Sequence, residues 1–177
     1  MLALASKLEF ITRLIGRSVS WLCLFMVLVI GIVVVERYWM QSGSIRLQES
    51  VTFMHALVFM LAAAYTLAAG DHVRVDVFYG RMSPRAQAWV NLLGTLLLLL
   101  PFCVFLFWSS WDYVAVSWKI REASQEAGGL PFPFPSLLKS AIPLTAILLL
   151  LQGLVMSLRS IVTILQPGQV YSDPRDY

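Results

Sequence analysis

Four stretches of the chain are apolar nearly throughout and carry almost no charge: residues 18–35, 50–69, 86–111 and 140–158. A transmembrane helix needs about 20 such residues to cross roughly 30 Å of hydrocarbon at 1.5 Å per residue. In lipid the backbone must satisfy its own hydrogen bonds, which helices do within one segment. The alternation of apolar and polar positions that marks a membrane β-barrel strand is missing. The pattern predicts an all-α integral membrane fold with four transmembrane helices.

Between the runs, smaller signals predict where helices begin and end. Leu4, Leu8, Ile11 and Ile15 recur at helical spacing before the first run, with Lys7, Arg13 and Arg17 largely elsewhere on the wheel. Two readings fit: an N-terminal interfacial amphipathic helix over 1–17, or an early extramembrane start to the first helix. Gly70 suits the C-terminus of the second helix, and Ser83-Pro84 supplies an N-cap and first-turn proline for the third. The third run spans about 26 residues, roughly 39 Å if wholly helical, so it tilts or projects. Pro101 within it removes one backbone donor, a cause for a kink. Trp111, Val114, Ala115 and Trp118 share a face and predict a helical extension of this span to about Ser124. Gly128-Gly129 is the expected stop, and Pro131, Pro133 and Pro135 predict an extended return to the membrane.

Composition changes the picture in few ways. Four spans in 177 residues leave room for a single membrane domain and no soluble one. The positive-inside rule sets orientation. Of the 13 Lys and Arg, Lys7, Arg13, Arg17, Arg74, Arg81, Arg85, Arg159 and Arg175 fall on one side. Arg37, Arg46, Lys119, Arg121 and Lys139 fall on the other, which places both termini, including the tail over 159–177, in the cytoplasm. The bases are scattered, so nucleic acid is not an expected partner; the lipid bilayer is. Glu36-Arg37-Tyr38-Trp39 follows the first run where a signal peptide would show a small-residue cleavage site, so a retained first helix is expected. Trp21, Trp39, Trp89, Trp108 and Trp111 near the run ends suit an aromatic belt. Cys23 and Cys103 sit in different spans as small apolar residues, without an expected disulfide.

Candidate chemistry is sparse. Apart from Tyr and Cys, His55 is the one titratable side chain within the four runs. An imidazole there is read first as a hydrogen-bonding group across a helix interface, and second as a proton carrier. His72 is about 25 Å further along a continuous helix, too far to share a haem iron or metal ion with it. No catalytic residue, cofactor or metal ligand is assigned. Without an Asp or Glu inside a run, proton-coupled transport by this chain alone is disfavoured. A membrane anchor of a redox enzyme remains the alternative, and haem would make it coloured.

The stretch from Gly70 to Tyr79, Gly-Asp-His-Val-Arg-Val-Asp-Val-Phe-Tyr, followed by Arg-Met-Ser-Pro-Arg at 81–85, closely resembles a loop of DctQ-like proteins. These are the small membrane subunits of tripartite ATP-independent periplasmic (TRAP) transporters. Further features match in order: Glu36-Arg37-Tyr38 closing the first span, Glu49 opening the second, and Gly128-Gly129-Leu130-Pro131. Lys139, Pro143-Leu144 and Leu151-Gln152-Gly153 of the fourth span match too. The resemblance covers essentially the whole chain. One departure is Ala62–Ala64, where a glycine is common in the family.

The resemblance implies a non-catalytic role in the bacterial inner membrane. The small subunit would scaffold a large sodium-coupled elevator subunit, while a periplasmic substrate-binding protein delivers an organic acid. The third-span extension would then be periplasmic. Four residues are expected at the large-subunit interface: Glu49, which the helix dipole also favours at a helix start, and His72, Arg74 and Asp76 of the loop. Arg74 reaching lipid headgroups is the competing reading. Ala62, Ala63, Ala64, Ala68 and Ala69 permit close helix contact, within this chain or with a partner.

Overall fold

A computed structural model describes residues 2–70 and 76–165 of the chain. The described part is helical: α1 (Leu2–Trp39), α2 (Ile45–Ala69), a short α3 (Asp76–Tyr79), α4 (Pro84–Gly94), a π-helical turn (Thr95–Leu99), α5 (Leu100–Lys119) and α6 (Phe134–Leu165). With α4, the π turn and α5 joined end to end, four helices are long and apolar enough to cross a membrane. Each contains one of the four predicted runs. They alternate in direction, so the N-terminus and α3 lie at one end and the α1–α2 and α5–α6 connections at the other.

Local chemistry sets most helix ends. Ser44 caps α2 by accepting from the Leu47 N–H, and Gly70 closes it with φ 73°, the left-handed turn glycine adopts without a Cβ penalty. Ser83 caps α4 through the Ala86 N–H with Pro84 in the first turn, as the sequence predicts. Pro101 acts through the π turn just before it. Its ring clashes with the carbonyl four residues back and it offers no N–H, and the wider turn relieves both. Leu100 N–H accordingly reaches back five residues to the Thr95 carbonyl.

Three expectations are corrected. The third rod stops at Lys119, not near Ser124. Arg121 adopts φ 51°, with its N–H on the Trp118 carbonyl and the Glu122 N–H on the Ser117 carbonyl, a Schellman closure built without glycine. The proline-rich return is not extended throughout. It turns at Pro131–Pro133, and α6 begins at Phe134, with Pro135 in the first turn where a missing N–H costs nothing. Finally, residues 2–17 are not a helix separate from the first span, because α1 runs unbroken from Leu2 to Trp39. The predicted apolar stripe is also reversed in part: Ile11 is exposed, whereas Glu9 and Thr12 are buried.

The packing is centred on α6, which touches α1, α2, α4 and α5. Half of its most apolar window is buried, against none of that of α1. The α4–α5 rod leans on α6, and α1 pairs with α2. Contact comes through a narrow seam on α1: Glu9, Thr12, Gly16 and Val19 are buried, and Leu22, Met26, Val29, Val33 and Glu36 are half-buried. The spacing of three and four residues is that of a coiled-coil seam. At Gly16 an added Cβ would fall on the Cβ of Tyr65, so α1 and α2 approach closely here. Ala64 and Ala68 are buried within the chain. Gly153 admits the π turn, with Leu99 and Thr95 carbons 3.1 and 3.3 Å from where its Cβ would stand. Cys23 and Cys103 are both free thiols, the first exposed and the second buried. Trp21, Trp39, Trp89, Trp108 and Trp111 all face outward.

Candidate functional site: polar clasps at the two ends of the helices

At the end formed by the interhelical connections, Glu49 reaches from the first turns of α2 to the loop between α5 and α6. Its Oε1 accepts from the Ser124 hydroxyl and its Oε2 from the Leu130 N–H at 2.6 Å. The loop is already folded on itself: Ser124 N–H donates to the Leu130 carbonyl at 2.9 Å and Gly129 N–H to that of Glu126 at 2.9 Å. Gly128 takes φ 82°. A Cβ on Gly129 would stand 2.7 Å from Glu49 Oε2, so the carboxylate fits because that position has no side chain. Two features that match the DctQ-like pattern far apart in sequence, Glu49 and Gly128-Gly129-Leu130, are thus one clasp.

A second layer ties α5 to α6 beside it. Lys139 Nζ lies 2.5 Å from Glu122 Oε2 and 4.0 Å from the centre of the Tyr113 ring. The Ser117 and Ser136 hydroxyls are 2.9 Å apart, and Trp118 Nε1–H donates to Ser140 Oγ at 2.9 Å. Hydrogen bonds from Lys139 and then Ser117 hold the Glu122 carboxyl below the ordinary glutamate value, since donors favour the charged form.

At the opposite end Glu9 of α1 is buried between two arginines. Arg13 donates through Nε and Nη2 at 3.1 and 2.9 Å, and Arg159 of α6 through Nη2. Thr12 Oγ1 lies 3.4 Å from Oε1 of Gln152, itself 1 % exposed. These contacts hold the start of α1 against α6. Nearby, Asn91 Nδ2 donates to the Tyr79 hydroxyl at 2.8 Å and Gln87 Nε2 to the Tyr79 carbonyl at 3.0 Å, fastening α3 to α4.

Of the four expected interface residues, two are described by the backbone. Glu49 is engaged within the chain, at the end away from α3. Asp76 is the first residue of α3, and His72 and Arg74 lie outside the described residues, as does the tail beyond residue 165. His55 is exposed on α2. Among the described residues no three His, Cys, Asp or Glu side chains come close enough to hold a metal ion. Sequence reasoning passed over Glu9 and Thr12; the spacing of Glu9 and Arg13, an i,i+4 ion pair, was the available signal. What these groups do chemically is fasten: each carboxylate joins separate elements of the fold.

The chain matches the family described as the DctQ component of tripartite ATP-independent periplasmic transporters over residues 26–163. No curated protein sequence matches it. The match takes in Glu49, the α5–α6 loop, Gln152 and Arg159, and begins beyond Glu9 and Thr12.

Proposed function

The chain belongs to the DctQ family of tripartite ATP-independent periplasmic transporters, as a non-catalytic membrane subunit, and we propose that it works as a rigid scaffold for the large subunit of such a transporter. In this reading the large subunit carries the sodium-coupled elevator movement. A periplasmic binding protein delivers the substrate, an organic acid. The chain sits in the inner membrane with both termini in the cytoplasm, which puts the Glu49 clasp and the α5–α6 loop on the periplasmic side.

The observation that carries the scaffold role is the Glu49 clasp together with the Glu9 clasp. Helices that move against one another in a transport cycle would not be tied by carboxylates in this way, α2 to the α5–α6 loop at one end and α1 to α6 at the other. A stationary support would be. His72, Arg74 and Asp76 are proposed to meet the large subunit at the cytoplasmic face, and Glu49 to serve the interface from the periplasmic end by holding the helices that present it. Affinity purification in mild detergent tests this reading. A large, many-span membrane protein should co-elute in fixed ratio and be lost in Arg74→Ala or Asp76→Ala. A chain that elutes alone, or with a soluble oxidoreductase and bound haem, would overturn it.

A further inference from the structure

One face of α2 carries two exposed polar side chains, Thr52 and His55, within its apolar run. Gln48, Thr52, His55 and Phe59 are exposed, while the remaining residues from Glu49 to Gly70 are half-buried or buried. Their spacing of four, three and four residues puts them on one ridge. His55 lies about 7 Å inside the apolar run that starts at residue 50. Neither Thr52 nor His55 makes a side-chain hydrogen bond among the described residues, whereas Thr66 on the same helix donates to the carbonyls of Ala62 and Ala63. Phe59, at the deep end of the ridge, is 77 % exposed.

Lipid tails accept Phe59 but offer nothing to a hydroxyl or an imidazole, and a polar group left there without a partner is costly. Outward positions elsewhere include apolar side chains that lipid tolerates, among them Phe25 and Leu28 on α1 and Phe102 and Phe105 on α5. Threonine and histidine in spans commonly bond to a facing helix, and an ionisable residue there faces protein or a cavity. The Glu49 clasp accounts for the ridge's direction. It pins α2 in rotation by drawing Glu49 toward the α5–α6 loop, which turns Gln48, Thr52 and His55 outward.

We propose that the Gln48–Thr52–His55–Phe59 ridge is the seam through which α2 packs against a transmembrane helix of the larger membrane subunit. That helix would offer hydrogen-bonding side chains opposite Thr52 and His55 and a recess for the Phe59 ring. The inference rests on the small-subunit reading above and adds the face that makes the contact.

A photo-crosslinking amino acid placed singly at Thr52, His55, Phe25 and Phe105, in membranes containing the complete transporter, tests it. The expected result is an adduct from 52 and 55, mapped by mass spectrometry to one transmembrane helix of the larger subunit, and none from 25 or 105. Adducts to that subunit from 25 or 105 but not from 52 and 55, or from 52 and 55 to a second copy of this chain, would overturn the assigned face and leave the small-subunit reading standing. No adduct to a larger membrane protein from any position would overturn both. As a second readout, Thr52→Val and His55→Leu should each weaken co-purification about threefold, the usual worth of one interhelical bond in a membrane, without lowering the thermal stability of the isolated chain. Undiminished co-purification in both would also overturn the assignment.

Discussion

Two glycines on α1 give a direct test of the packing. Gly16 sits where a Cβ would fall on the Cβ of Tyr65, whereas a Cβ on Gly31 meets nothing within 4 Å. Replacing either by alanine improves helix propensity by about 1 kcal/mol. At Gly31 that gain stands alone. At Gly16 it is opposed by the strain of overpacking, about 1–3 kcal/mol. Tyr65 cannot relieve the strain by rotating, because the colliding atom is its Cβ, fixed to the backbone; α1 and α2 must separate. Since the propensity gain is common to both, the two alanine variants should differ by about 1–3 kcal/mol, with Gly16→Ala the less stable. Thermal unfolding of the purified subunit in a single detergent reads the difference as a lower midpoint for Gly16→Ala and an equal or higher one for Gly31→Ala. Equal midpoints for the two variants would refute the close approach of α1 to α2 at Gly16.

The remaining predictions concern the clasps. Arg159→Leu leaves the buried Glu9 carboxylate with Arg13 and should cost about 1–3 kcal/mol; combined with Glu9→Gln the loss should be smaller than the sum of the two single losses, and strict additivity would argue against the pair. Glu49→Ala removes the acceptor for Ser124 and the Leu130 N–H, so hydrogen exchange and proteolysis across 124–130 should quicken while the four helices stay protected; an unchanged loop would contradict the clasp. Because the Glu122 carboxyl is held below its ordinary value, it binds fewer protons folded than unfolded. Its contribution is present above the unfolded value and lost as pH falls through the folded one. Glu122→Gln should therefore flatten the acid limb of a stability-against-pH curve, and an unaltered limb would count against the Glu122–Lys139 link.

Much of the fold was legible because the bilayer imposes its own length on the sequence. The four apolar runs lie within the four long helices, and Gly70 and Ser83-Pro84 mark helix ends whose chemistry is local. The end of α5 was not legible, because Arg121 adopts the left-handed turn that composition assigns to Gly128-Gly129. The seam on α1 was hidden for a different reason: its protein-facing and lipid-facing sides are equally apolar, so amphipathicity carries no signal. At the α1 start the soluble-protein rule misled, since Glu9 turns inward to Arg159, a partner 150 residues away. Glu49 was noticed for its place at a helix start, but its partners Ser124 and Leu130 are tertiary neighbours that no local pattern announces. His55 was read as bonding across a helix interface, and the structure turns it outward, so such an interface would lie with another protein.

The central claim, that this chain supports transport without performing it, is tested most directly by reconstitution. The larger membrane subunit would be placed in liposomes with and without this chain, and uptake of the ligand carried by the cognate binding protein measured under a sodium gradient. The account predicts uptake with both membrane subunits, little with the larger one alone, and none with this chain alone. Full uptake by the larger subunit in its absence, or any uptake by this chain on its own, would contradict it.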